Sequence, residues 1–211
     1  MSDGERGRLI ALEGIDGCGK STQARLAADR LGALLTFEPG ATPLGTALRE
    51  LVLDPGAPPV DGRAEALLVA ADRAQHVAQV VAPALAAGRW VVTDRFSAST
   101  MAYQGYGRGL DASELGRLID WATAGLCPDL TVLIDVPVDV AATRRRGSRD
   151  DRLEAQGHEF QQRVSDGYRR LAAEAATPWL VVDGTGPVDA VAAAVWSGLS
   201  GLVRPARDHE R

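Results

Sequence analysis

The stretch GIDGCGKST, residues 14–22, limits what this chain can fold into more than any other part of it. It follows the apolar run Leu9–Leu12, which reads as a buried strand. It precedes QARLAADRL, in which Leu26, Ala27 and Leu31 recur at helical spacing. The glycines therefore lie in a strand-to-helix turn. Gly14, then Ile15, Asp16, Gly17 and Cys18, then Gly19, Lys20 and Ser21, with Thr22 behind them, have the spacing of a loop that surrounds a phosphate chain with backbone N–H groups and a helix N-terminus. Glycine is required because the backbone must turn tightly and approach the phosphates without a Cβ in the way. In that pattern the lysine, Lys20, reaches the β- and γ-phosphates of a nucleoside triphosphate, and the Ser21 hydroxyl helps to hold Mg²⁺.

The chain contains 22 arginines and one lysine, and that lysine is Lys20. A compact ammonium on a flexible stem is not interchangeable with a guanidinium fork, so lysine is kept where a phosphate loop needs it. The net charge of −5 and pI near 5.2 leave no broad basic surface for nucleic acid, and any basic site must be local. No apolar run approaches the roughly 20 residues of a membrane helix, and MSDGERGR has no apolar signal region, so a cytoplasmic location is expected. Cys18 and Cys127 set no disulfide pattern and read as reduced thiols.

Strand-like apolar runs recur at 33–37, 89–94, 130–135 and 178–183, giving five strands with the first. Helical patterns fall at 44–52, 63–87, 97–104, 112–124, 138–146, 155–175 and 188–202. This alternation predicts one α/β domain over residues 1–211, doubly wound, with helices on both faces of a parallel sheet. Ligands of such sheets bind beyond the carboxyl ends of the strands. Glu38, Asp94, Arg95 and Asp135 all stand there. Residues 54–62 read as a loop and 204–211 as a disordered tail.

Four stretches together resemble the bacterial thymidylate kinases: EGIDGCGKSTQ, EPGATPLGTALRELVLD (38–54), DRFSASTMAYQGYGRG (94–109) and RRRGSRDDRLE (144–154). They run in order within residues 8–200, and the third is specific to that family. The resemblance implies a P-loop NTPase-type sheet in the order 2-3-1-4-5, transfer of the γ-phosphoryl group of ATP to dTMP with Mg²⁺, and a homodimer. It also implies that Thr100 and Gln104 approach the base, and that Tyr103 lies against the sugar where a 2′-hydroxyl would project.

A monophosphate attacks through an oxygen that is already anionic, so the reaction needs cations that bring two phosphates together and no general base. Arg95, directly after a strand end, suits bidentate capture of the acceptor phosphate. Arg49 is similar to a family residue that also reaches the acceptor. Asp16, Asp94 and Glu38 gather carboxylate oxygens suited to Mg²⁺ and its waters. Arg95, Ser99 and Tyr103 recur at a spacing of four and share a side.

The phosphate loop itself carries no arginine, so the cation that stabilises the transition state is expected from the run Arg144, Arg145, Arg146, Arg149 and Arg152, within a lid at about 144–156. Arg149 and Arg152 are the candidates. Glu154 matches a family acidic position.

Two departures stand out. Where the family has TREPGG this chain has TFEPGA, which puts Phe37 in place of an arginine. Where the family has LLFAADRAQ it has LLVAADRAQ, which puts Val69 in place of a ring that stacks on thymine. Arg73, one turn beyond Val69, is able to donate to a base carbonyl. Two other readings remain open at this point. One is a deoxynucleoside kinase using Glu38 as general base; the other is a nucleotide-binding protein without turnover.

Overall fold

The computed structural model describes residues 6–145 and 151–202. Arg146, Arg149 and the 204–211 tail lie outside the described residues. Strand β1 (Leu9–Glu13) is buried along its whole length. Its side chains alternate between two apolar clusters. Leu9 and Ala11 pack with Val77, Val81, Leu85 and Phe96, whereas Ile10 and Leu12 pack with Ala24, Val132, Ile134 and Val164. A strand covered on both faces meets apolar neighbours on each, which is why Leu9–Leu12 lacks a polar alternation and only Glu13, at the carboxyl end, is polar.

After β1 come α1 (Lys20–Leu31), β2 (Leu34–Phe37), α2 (Pro43–Leu53), α3 (Gly62–His76) and α4 (Ala82–Ala86). They are followed by β3 (Val91–Asp94), α5 (Ser97–Thr100), α6 (Ala112–Thr123), β4 (Leu130–Asp135), α7 (Val138–Arg144), α8 (His158–Glu174), β5 (Trp179–Asp183) and α9 (Val188–Ser200). The strands form a parallel five-stranded sheet in the order β2-β3-β1-β4-β5, as the family resemblance implied. Leu12 stands opposite Asp94, the last residue of β3, and Val132 of β4, so β1 and β3 end within one residue of each other while β4 runs on to Asp135. Helices α2 and α6 start on local caps: the Thr42 side chain accepts from Gly45 N ahead of Pro43, and that of Asp111 accepts from the N–H groups of Ser113 and Glu114.

The predicted helix over 63–87 is continuous but changes pitch, with a π-helical turn at Val77–Val81 between α3 and α4. Pro83 has no N–H for the carbonyl four residues back, and the ladder widens just before it. The helix expected at 97–104 runs on as a second π-helical segment, Met101–Gly107. Helix α8 begins at His158 rather than 155, because Glu154–Gln156 forms a 3₁₀ turn.

Candidate active site

Between β1 and α1 the loop places its glycines where other residues would not fit. A Cβ on Gly17, whose φ is +86°, would lie 2.4 Å from the carbonyl oxygen of Ala141 in α7. Gly19, with φ +99°, leads into α1 and offers no side chain to cap it, and the first turn of α1 holds no acidic residue. The N–H groups at the start of α1 therefore lack an acidic or side-chain cap, the arrangement that receives an anion. Two lid-side arginines grip the loop from behind. Arg145 donates to the Asp16 carbonyl at 2.9 Å, and Arg144 donates to the carbonyls of Cys18 (3.2 Å) and Gly184 (2.8 Å).

Lys20 is 5% exposed, and its Nζ donates to Asp16 Oδ1 at 2.8 Å. The same carboxylate pairs with Arg95 Nη2 and accepts from the Tyr103 hydroxyl at 2.8 Å. Both Asp16 oxygens, expected to face a metal, are thus engaged by side chains. Burial alone would push Asp16 up, but Arg95 and Lys20 outweigh it and hold the carboxyl far below its usual range. Arg95 has φ +73° and also donates to Ser99 Oγ (3.0 Å) and Tyr168 Oη (3.2 Å). Beneath them lies Glu13, fully buried. It accepts from Phe96 N, Ser99 N, the Ser99 hydroxyl and the Tyr168 hydroxyl. Glu13 thus holds the turn that aims Arg95.

Glu38, Arg49, Val69, Arg73, Arg95, Ser99, Thr100, Tyr103 and Gln104, the expected acceptor-binding residues, all line one cleft with Asp16 on its wall. Arg73 is buried there. It donates to Glu38 Oε2 (2.8 Å), Thr100 Oγ1 (2.8 Å) and the Phe96 carbonyl (3.0 Å). His76 Nδ1 lies 2.8 Å from the other Glu38 oxygen, and its Nε2 lies 2.7 Å from Thr36 Oγ1. Glu38 is therefore saturated by a cation and a histidine. Arg49 is exposed at the rim and donates to the Pro39 carbonyl at 2.7 Å. Phe37 is exposed and does not line the cleft.

Asp94, at the end of β3, has an Oδ1 that is buried without a hydrogen-bond partner. Ser21 is exposed on the first turn of α1. Among the described residues no three His, Cys, Asp or Glu side chains gather to hold a metal by themselves. Mg²⁺ commonly needs only one or two protein oxygens because substrate phosphates and waters supply the rest, and an uncompensated carboxylate oxygen fits that requirement.

Arg152 reaches Glu65 of α3 at 3.4 Å, and Arg108 reaches the same carboxylate at 2.9 Å. Glu65, Asp72, His76, Glu13 and Tyr168 were not singled out in the sequence. The first three share a signal with Val69 and Arg73, since positions 65, 69, 72, 73 and 76 fall on one side of α3. Glu13 had only its place directly before the loop. Tyr168 had none.

A family profile described as thymidylate kinase matches residues 12–195. A thymidylate kinase from Synechococcus sp. (strain CC9902) is 54% identical over 177 residues, covering 79% of this chain and 85% of its own. One from Prochlorococcus marinus (strain MIT 9313) is 47% identical and covers 97% of this chain and 99% of its own. Among solved structures, the thymidylate kinase of Ehrlichia chaffeensis superposes with a TM-score of 0.75 at 32% identity, over 92% of this chain and 99% of that one.

Proposed function

The chain belongs to the thymidylate kinase family, and on that premise we propose how its residues transfer the γ-phosphoryl group of ATP to dTMP, giving dTDP and ADP. The observation that carries the assignment of roles is the meeting of Lys20 and Arg95 on Asp16, with the uncapped start of α1 on one side and the cleft on the other. Residues 14–22 wrap the ATP phosphates, with backbone N–H groups toward the anion and Lys20 on the β- and γ-phosphates. Arg95 takes the dTMP phosphate with its planar fork, and Arg49 closes the rim. Asp16 and Tyr103 keep the Arg95 fork in place while the cleft fills. An oxygen of the dTMP phosphate forms the new bond to the γ-phosphorus as the bond to the β,γ-bridging oxygen breaks, and ADP leaves with the negative charge. Arg152 and Arg149, from the lid, neutralise charge that develops in between.

Mg²⁺ would be held by Ser21 and Asp94 with the ATP phosphates, and when bound it neutralises phosphate charge. The unpaired buried Asp94 Oδ1 supports this choice over Asp16, whose oxygens are spent. Thymine lies between Val69, Arg73, Thr100 and Gln104, and the deoxyribose lies against Tyr103. A nucleoside kinase would need a free carboxylate to take the proton of a 5′-hydroxyl. Glu38, the candidate for that task, is bound by Arg73 and His76 on both oxygens.

The chain works as one nucleoside monophosphate kinase domain with a lid at about 144–156, in the cytoplasm, as a homodimer. No described helix is long and apolar enough to cross a membrane. The dimer is supported by Leu67 of α3 and Trp121 of α6, on helices that pack together, which leave 58% and 83% of their surfaces exposed. Phosphorus NMR of the purified chain with ATP and Mg²⁺ tests the reaction. With dTMP, resonances of dTDP and ADP should grow together; with thymidine none should. Phosphorylation of thymidine would move Glu38 back to the role of base.

A further inference from the structure

Glu65 is fully buried, yet the transfer reaction gives it no task. Its Oε1 receives Gln104 Nε2 at 3.0 Å and Arg108 Nε at 3.2 Å, and its Oε2 receives Arg108 Nη2 at 2.9 Å and Arg152 Nη2 at 3.4 Å. Guanidinium groups can only donate, so every Glu65 oxygen acts as an acceptor. A side-chain amide facing such a carboxylate must turn its NH₂ end toward it. This fixes Gln104, because the opposite orientation would set two acceptors against each other. The carbonyl end of Gln104, a residue lining the cleft, has no hydrogen-bond donor among the described residues.

We infer that Glu65 is a specificity-determining residue: by locking the Gln104 amide it makes the cleft select a base with an N–H at its pairing edge, an imide such as thymine, over one with a bare ring nitrogen, such as cytosine. The inference rests on the reading that the base lies against Thr100 and Gln104. Around the Gln104 carbonyl the cleft supplies donors. Arg73 keeps N–H groups beyond those given to Glu38, Thr100 and Phe96, and the Thr100 hydroxyl, having accepted from Arg73, has its own hydrogen to give. An acceptor among donors complements an imide, whose N–H stands between two carbonyls. Cytosine would bring a lone pair to the Gln104 carbonyl and an amino group to the donors, and such unpaired polar contacts reject a ligand far more strongly than a missing methyl group does. Glu65 touches no substrate. It acts through Gln104 and is a positioning residue.

The test is the ratio of kcat/KM for dTMP to that for dCMP, with dUMP as the second imide, measured on the full chain with ATP and Mg²⁺. In Glu65→Gln the partner of Gln104 can present either end, so the amide is free to turn. The dTMP to dCMP ratio should fall by about tenfold or more, the worth of one hydrogen bond made or left unmade, while the dTMP to dUMP ratio stays constant. A general loss of order would lower all three together. Should Glu65→Gln leave Arg108 unpaired and the protein poorly folded, Glu65→Gln/Arg108→Gln removes both charges and should show the same fall. An unchanged dTMP to dCMP ratio in a variant with a native melting curve overturns the proposal. Gln104→Ala separates this failure from a wrong placement of the base. If Gln104→Ala lowers the ratio and the Glu65 variants do not, Glu65 alone is misassigned; if neither lowers it, the base lies elsewhere.

Discussion

Arg95 and Asp16, contributed by the turn after β3 and the loop after β1, form the ion pair at the centre of the cleft, and Tyr103 and Lys20 join it from two sides. Two cations proposed to meet different phosphates thus share one carboxylate. Without it they would repel each other across the site that must bring the two substrates together.

Asp16→Asn keeps the shape of this residue and removes its charge. Its amide can neither accept on both sides nor hold two cations, so kcat should fall about 100-fold, the scale of losing one preorganised electrostatic group. The melting temperature should fall as well, because Lys20 and Arg95, both largely buried, lose the carboxylate they share. Steady-state kinetics alongside a thermal melt checks both expectations, and a kcat within a few-fold of wild type would remove Asp16 from the centre of the mechanism.

Glu13 yields a prediction in pH. Burial pushes its carboxyl above the ordinary value of 4.5, and the hydrogen bond from Ser99, the charge of Arg95 and the bonds from Phe96 and Tyr168 offset this only in part. Between the unfolded and the raised folded pKa the native state binds more protons than the unfolded chain, so this residue's contribution to stability is lost as pH rises through that window. Glu13→Gln does not titrate. The urea midpoint of wild type relative to Glu13→Gln should therefore fall on going from about pH 4.5 toward neutrality. Equilibrium unfolding of both proteins across that range reads the difference, and a relative midpoint that rises instead would reverse the assignment.

How much of this arrangement could be read from the sequence depends on whether the interacting residues are neighbours in the chain. The phosphate loop was legible because its constraints are local: Gly17 must pass the Ala141 carbonyl and Gly19 must turn into α1. The sheet order came through the family resemblance, and the five strands through apolar runs that both layers of helices demand. The pairing of Arg73 with Glu38 was not legible, since it joins positions 35 apart, and that of Arg152 with Glu65 joins positions 87 apart. Periodicity also hides the π-helical segments, because a single wider turn leaves the apolar stripe nearly unchanged over a short window. Met101–Gly107 is one of these, and it is the segment that carries Tyr103 and Gln104 into the cleft.

Val69 lines the cleft four residues before Arg73 on α3. An aromatic ring against a base is worth about 1–3 kcal/mol in single-strand binding sites, and valine has no π-face. Val69→Phe should lower KM for dTMP several-fold at about 1.4 kcal/mol per decade, with a smaller change in kcat, since stacking on the base is largely uniform binding. An unchanged or higher KM would mean that the cleft has closed around the smaller side chain.

Trp121, on α6, is 83% exposed, an unusual state for the largest apolar side chain. If it is covered by a second copy, light scattering should give twice the chain mass of 22.2 kDa for wild type and the single mass for Trp121→Glu, whose charge would be buried unpaired in the interface. Equal masses for the two proteins would show that this face is not the contact.

The most direct measurement of the central claim compares wild type and Lys20→Ala for production of dTDP from ATP and dTMP in one coupled assay, with circular dichroism on both. In the proposed mechanism Lys20 links the phosphates to Asp16, with which it pairs, and it contributes little to the apolar core. Wild type should turn over dTMP, whereas Lys20→Ala should fold with the same spectrum and give no product above background. Turnover in Lys20→Ala comparable to wild type would contradict the account, because phosphate transfer would then be proceeding without the one lysine the chain retains.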